Sequence, residues 1–174
     1  MDLMIGFFVL IMIFTSSIWL WDTAREKMYL AESRNQLELT ARNAAYSLLQ
    51  TVGDPPNWYR LADINETSVY SLGIGRNRPW FINEEKAKLL ATLNNTHYDL
   101  FKKILTVRNN EFFLNVSRYN TTDKQFYEVS VVGKRPSASA EQVVRIERFG
   151  LSDYDGSWSK FIMYVWKKCK GAYC

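Results

Sequence analysis

From Leu3 to Trp21 the chain carries no charged residue, and from Asp22 the pattern becomes a mixture of charged and apolar positions that runs to Gly53-Asp54-Pro55-Pro56. Nineteen helical residues rise about 28 Å, close to the thickness of a bilayer's hydrocarbon core. The first stretch therefore predicts a helix just able to span. Beyond it, Leu37, Ala41, Ala44, Leu48 and Val52 recur at steps of four, three, four and four, marking one face of a continuing helix. Arg34, Glu38 and Arg42 stand one turn apart on the polar side. No proline precedes Pro55, and Gly53 followed by Asp-Pro-Pro is a stop signal. The pattern predicts one helix from near Asp2 to about Val52, apolar all round at first and amphipathic afterwards, so that residues 1–53 form a core-and-stalk helix and 54–174 a head.

In the head, Asn57 to Phe81 reads as irregular, with Gly73 and Gly75 as turn residues, since a lone GxG lacks the spacing of a phosphate-binding loop. Asn83 is placed to cap a helix over Glu84 to Leu93. Thr96 and Asp99 have capping-box spacing and predict a second short helix over Tyr98 to Leu105, with Leu100, Phe101, Ile104 and Leu105 as its core face. Four strand-like runs follow, Glu111 to Tyr119, Gln125 to Val132, Gln142 to Phe149 and Trp158 to Trp166, joined by turn-rich segments. These predict an antiparallel four-stranded sheet. Phe112, Leu114 and Val116 alternate with Phe113, Asn115, Ser117 and Tyr119, so the first set is expected on the long helix and the second outward. Trp58, Trp80, Trp158 and Trp166 are expected in the core or at subunit contacts, with an adhesive surface as the alternative.

Each large apolar side chain of the opening segment left in water would forgo about 1.5–3 kcal/mol, so the segment belongs in lipid or against other copies of itself. Thr15, Ser16 and Ser17 can bond back to carbonyls one turn earlier, and Trp19 and Trp21 suit a membrane interface. A secretory signal peptide needs a basic n-region and a small-residue cleavage site, and the segment displays neither. Arg25 and Lys27 follow the span and by the positive-inside rule would hold the head in the cytoplasm. Four sequons, at Asn65, Asn94, Asn115 and Asn120, argue for export and N-linked glycans instead. Both are accommodated by a short basic leader that preceded Met1 and was removed; whether Met1 is a mature first residue or a start codon stays open. Many such helices packed in parallel would make a rod with apolar segments inside and heads outside.

The charge balance, 22 basic against 18 acidic residues in 174, adds little. Lys102-Lys103, Lys134-Arg135 and Lys167-Lys168 read as solvated faces, and a nucleic-acid partner is not expected. Cys169 and Cys174 can close a small disulfide ring outside the cell, with a pair of free thiols as the alternative; two ligands do not make a zinc site. The sole histidine, His97, has no nucleophile or metal-ligand pattern around it, and Asp153 and Asp155 fall in a turn signal, DYDG. No catalytic, cofactor-binding or metal-ligating residue is assigned, and an enzyme is not expected.

The segments DLMIGFFVLIMIF, GDPPNWY, SLGIGRNRP and VVRIERF followed by FIMYVWKK carry a resemblance. Over nearly its whole length the chain is similar to archaeal type IV pilin-like proteins of methanogens, those with a class III signal sequence. Bacterial type IV pilins usually have an acid at the fifth mature position, where this chain has Ile5; its nearby acid is Asp2, suited to a helix N-terminal dipole. The resemblance implies an α+β, type IV pilin-like fold, with a long N-terminal helix packed on a small antiparallel head sheet with one or two short helices. It implies a homo-oligomeric helical filament on the cell surface, adhesive in function and assembled through Leu3, Met4, Ile5, Phe7, Phe8, Leu10, Ile11, Ile13, Phe14, Ile18 and Leu20. It also implies residence in the membrane before assembly, and a prepilin peptidase, an assembly ATPase and a membrane platform protein as partners. The alternatives are a minor, initiating pilin that binds extracellular DNA, and a single-pass anchored receptor ectodomain. An archaellum subunit is disfavoured because the head shows no such likeness.

Overall fold

A computed structural model of the chain describes residues 2–61, 64–76, 78, 80–107, 109–138 and 140–167. The elements are helix α1 (Asp2–Gln50), a 3-10 turn (Trp58–Arg60), β1 (Phe81–Ile82), α2 (Glu84–Ile104), β2 (Asn110–Asn120), β3 (Gln125–Gly133), β4 (Glu141–Ser152) and β5 (Trp158–Lys167). Cys169 and Cys174 lie outside the described residues. The chain forms two compact units, Met1–Gln36 and Leu37–Cys174. Thus the last part of α1, which the sequence pattern assigns to the stalk, is structurally part of the head. In the first unit every described residue is helical.

The second unit is built on a sheet of order β1-β4-β5-β2-β3. Its four long strands are antiparallel as expected, but the two-residue β1 adds a fifth that runs parallel to β4, so the sheet is mixed. Two apolar residues were too short a run to announce a strand in the sequence. In β2 and β5, Phe112 faces Val165, Leu114 faces Met163 and Val116 faces Phe161. These six bury together with Leu37, Ala41, Ala44 and Leu48 of α1 and with Ala87, Leu90 and Phe101 of α2. Ala45 and Leu49 join them, which widens the buried stripe of α1 beyond the four-three-four-four face. The result is the expected α+β arrangement, with a long N-terminal helix on a small, mostly antiparallel sheet.

Helix α1 ends at Gln50, close to the expected Val52, and its last carbonyls need donors. The segment Ser71 to Gly75 supplies them: the amides of Ile74 and Gly75 donate to Leu48 O at 2.7 and 3.2 Å, and Gly75 N also reaches Thr51 O at 3.0 Å. A Cβ on Gly73 or Gly75 would lie 2.2 Å from Thr51 O or 2.5 Å from Leu49 O. These glycines are therefore close-approach residues that let one backbone touch another, a role the sequence reading as turn residues did not contain. Gly53 follows at φ +83°, its hydrogen facing the Trp58 ring, and Trp58 Nε1 donates to Gly73 O at 3.1 Å.

Helix α2 contains the two expected short helices, run together across a kink. Asn83 caps the first, accepting from Lys86 N at 3.0 Å, and non-helical His97 (φ −125°, ψ 15°) divides it from a second segment that ends at Ile104. The Thr96 hydroxyl turns back to donate to Leu93 O just before that kink.

Candidate functional site

Ten of the eleven residues expected to build a filament core, Met4 through Leu20, are exposed, from 43% at Ile11 to 83% at Met4; the side chain of Leu3 lies outside the description. Among the described residues this helix alone is long and apolar enough to cross a membrane. Its hydroxyls are already satisfied along the helix. Thr15, Ser16, Ser17 and Thr23 donate to the carbonyls of Ile11, Met12, Ile13 and Trp19 at 2.7–2.9 Å, so none presents an unpaired donor to an apolar neighbour. The apolar surface also continues past Trp21. Trp21, Ala24, Met28 and Ala31 fall at steps of three, four and three, and Met28 is 72% exposed. Sequence reading missed this extension because charged residues at 22 and 25–27 interrupt it.

A second candidate lies on the sheet face opposite the helices. There Phe113 faces Tyr164, Asn115 faces Ile162 and Ser117 faces Lys160 across β2 and β5. The edge strand β3 and the Arg135-Pro136 segment wall this face into an open trough of about 730 Å³. A polar row crosses it. Ser117 Oγ donates to Asn115 Oδ1 at 2.6 Å, Asn115 Nδ2 donates to Glu128 Oε2 at 2.5 Å, and Arg135 stands 3.8 Å from the same carboxylate. Aromatic rings flank the row, with Arg135 over Phe113 at 5.6 Å and Lys160 over Phe126 at 4.6 Å. The curl of the sheet thus changes the expectation for Asn115: it is on the outward face, yet only 9% exposed.

The other sequons occupy varied settings. Asn65 Oδ1 accepts from the amides of Thr67 and Ser68 in a tight turn. Asn120 Oδ1 accepts from Thr122 N at 2.9 Å in the exposed β2–β3 turn. Asn94 Oδ1 accepts from Gly133 N at 2.8 Å, tying α2 to the end of β3. Of the four tryptophans of the head, Trp58 and Trp166 are buried while Trp80 and Trp158 are exposed.

The ionisable groups away from these surfaces hold the fold. Glu84, buried at the start of α2, accepts from Ser152 Oγ at 2.7 Å and from Arg118 at 3.1 Å. Asp153 of the DYDG turn accepts from Glu84 N at 3.2 Å, so that turn anchors the helix N-terminus. Lys86 Nζ donates to Val52 O at 2.5 Å, giving a further donor to the chain end of α1; burial lowers its pKa, against the pull of Asp153. His97 Nδ1 lies 2.6 Å from Thr96 Oγ1 and its ring stacks beside Phe101. Among the described residues no group of three His, Cys, Asp or Glu gathers to hold a metal ion.

No protein-family model, curated protein or solved structure matches the chain.

Proposed function

We propose that this chain is a structural subunit of an extracellular filament of the archaeal type IV pilus kind, held together by its apolar helix. The observation that carries the reading is the length of the exposed apolar surface on α1. From Met4 to Met28 the helix rises about 36 Å, against a hydrocarbon core of about 30 Å. With Leu3 to Trp21 in lipid, Met28 would stand about 10 Å beyond the core, in water, for a lone span. Packing against sister helices covers both stretches at once and converts their exposed area into buried area at about 25 cal/mol per Å².

In this reading the helix waits in the membrane, a prepilin peptidase trims a basic leader, and an assembly ATPase working through a membrane platform protein draws the subunit into the fibre. The head forms the outer wall, carries N-linked glycans at a subset of Asn65, Asn94, Asn115 and Asn120, and serves adhesion rather than catalysis. The test is direct. Fibres sheared from cells expressing the tagged chain are collected and resolved by electron cryomicroscopy. A rod with parallel helices at its axis and this chain as its main component is the expected outcome. A chain found as a monomer in the membrane fraction and absent from fibres establishes the anchored-ectodomain alternative. A trace amount at fibre tips establishes the minor pilin.

A further inference from the structure

We infer that the trough on the outer sheet face is a binding site for an oligosaccharide bearing carboxylate groups. It rests on the adhesive part of the function proposed above and names the ligand class; it does not depend on assembly, because every residue of the trough belongs to the second compact unit.

The volume, about 730 Å³, lies within the range of small-ligand sites. Its lining alternates two kinds of surface. Phe126, 38% exposed, and the half-buried Tyr164 offer ring surface, which suits the C–H faces of pyranose rings, while Phe113 is buried beneath Arg135 and backs the trough. Between them runs the polar row of Ser117, Asn115 and Glu128. An amide has two donors and two acceptor lone pairs, and the row uses one of each on Asn115; the Ser117 hydroxyl and the second Glu128 oxygen add further acceptors. Hydroxyl groups, which donate and accept, can complete this set.

An apolar partner fits poorly. It would strip water from Glu128 and Arg135, the solvated end of the row, without replacing their hydrogen bonds, at a cost for each bond left unmade. A nucleic acid meets the opposite difficulty, since its run of phosphates would have to pass Glu128, whereas a single sugar carboxylate can sit at Lys160 away from it. The charge balance then selects among saccharides. Arg135 already faces Glu128, whereas Lys160 rests on the Phe126 ring with no carboxylate in an ion pair to it among the described residues. A sugar carboxylate at Lys160 supplies the missing charge, in a site partly screened from solvent, where such a pair is stronger than in bulk water.

The experiment uses the full chain, produced without glycosylation and held in a zwitterionic detergent, whose headgroup is no sugar mimic. Hyaluronan hexasaccharide, neutral cellohexaose and a ten-residue oligothymidylate are titrated separately by calorimetry and by ligand-observed NMR. Saturable binding of the hyaluronan fragment is expected, with cellohexaose about tenfold or more weaker, a difference of one ten-to-one step in affinity. Lys160→Gln should erase that preference, bringing the two sugars to equal affinity, and Phe126→Ala should weaken both sugars. Circular dichroism of each variant separates loss of the site from loss of the fold. No saturable binding of the hyaluronan fragment below about 5 mM overturns the inference, as does oligothymidylate binding that is equal or tighter, or an acid preference that survives Lys160→Gln. Intact mass of the natively produced chain that places a glycan on Asn115 also overturns it, because that glycan would fill the trough. Fibres that form normally from a chain with no sugar affinity would refute this site and leave the assembly reading standing.

Discussion

Glu84 is 7% exposed and ties three parts of the head together, taking Ser152 from β4 and Arg118 from β2 while its own amide binds Asp153. A buried carboxylate held this way contributes through its hydrogen bonds, and removing it strands their donors. Glu84→Ala is expected to lower unfolding stability by about 2–3 kcal/mol, read from urea denaturation of the full chain in detergent micelles. The Arg118 side chain is partly solvated and recovers some of its own hydration, which keeps the loss below that of a fully buried pair. Tyr98 adds a pH effect. Its hydroxyl donates to Glu111 and to Phe112 O, and burial first, then the neighbouring carboxylates, push its pKa well above the ordinary 10.0. A raised folded-state pKa means the unfolded tyrosine ionises first, so the stabilisation is complete below pH 10 and is lost as the pH climbs past it toward the folded value. The stability difference between the chain and Tyr98→Phe should therefore shrink between about pH 9 and pH 11, measured by urea midpoints at both. A constant difference would show that Tyr98 is not the group titrating.

The C-terminal turn of α1 depends on backbone touching backbone. Gly75→Ala brings a methyl group 2.5 Å from Leu49 O and 2.8 Å from Thr51 O, both main-chain atoms that cannot swing away. It should cost about 2–3 kcal/mol, at the upper end for overpacking. Gly156→Ala makes the control, since nothing lies within 4 Å of its Cβ and only φ +70° opposes it; about 1 kcal/mol is expected there. Thermal unfolding followed by circular dichroism ranks the two. The glycines of SLGIG were visible in the sequence as a pair, but a close approach involves two segments some 25 positions apart, and no local pattern encodes it. Helix α2 teaches the same point from the other side. The Thr96–Asp99 spacing marked the boundary between two helices at the right place, but the Thr96 hydroxyl is spent on Leu93 O of the first, and the two run together across the His97 kink.

For the filament proposed above, the two stretches of exposed apolar surface on α1 can be separated by mutation. Phe14→Arg puts a cation near the middle of the spanning stretch, where its cost is about 2.5–3.5 kcal/mol for insertion, and should reduce both membrane residence and fibre yield. Met28→Glu lies beyond the uncharged Leu3-to-Trp21 stretch, so membrane insertion should be unchanged while fibre yield falls by about tenfold, the consequence of about 1.4 kcal/mol per subunit contact. Membrane flotation and sheared-fibre blots read the two quantities independently. Equal fibre yield from Met28→Glu would mean that the exposed surface beyond Trp21 meets no sister helix.

Periodicity along one chain was enough to specify the elements. The apolar run, the Leu37-to-Leu48 stripe, the Asn83 cap and the four strands were all legible because helices and strands impose their own repeats of 3.6 and 2.0 on whichever side chains face a core. Which face of β2 lies on the helix was legible too, since Phe112, Leu114 and Val116 pack there as expected; how far the opposite face would be covered was not, because alternation distinguishes two sides of a strand without saying what lies over each. Asn115 shows the difference: its place opposite Phe112 and Leu114 follows from the alternation, while its burial follows from the curl of the sheet and the Arg135-Pro136 wall. The trough, the glycine contacts at the end of α1 and the Glu84 network all join residues far apart in the chain. Such juxtapositions arise only when the elements pack, since the free energy that selects them is that of the closed core and not of any one segment.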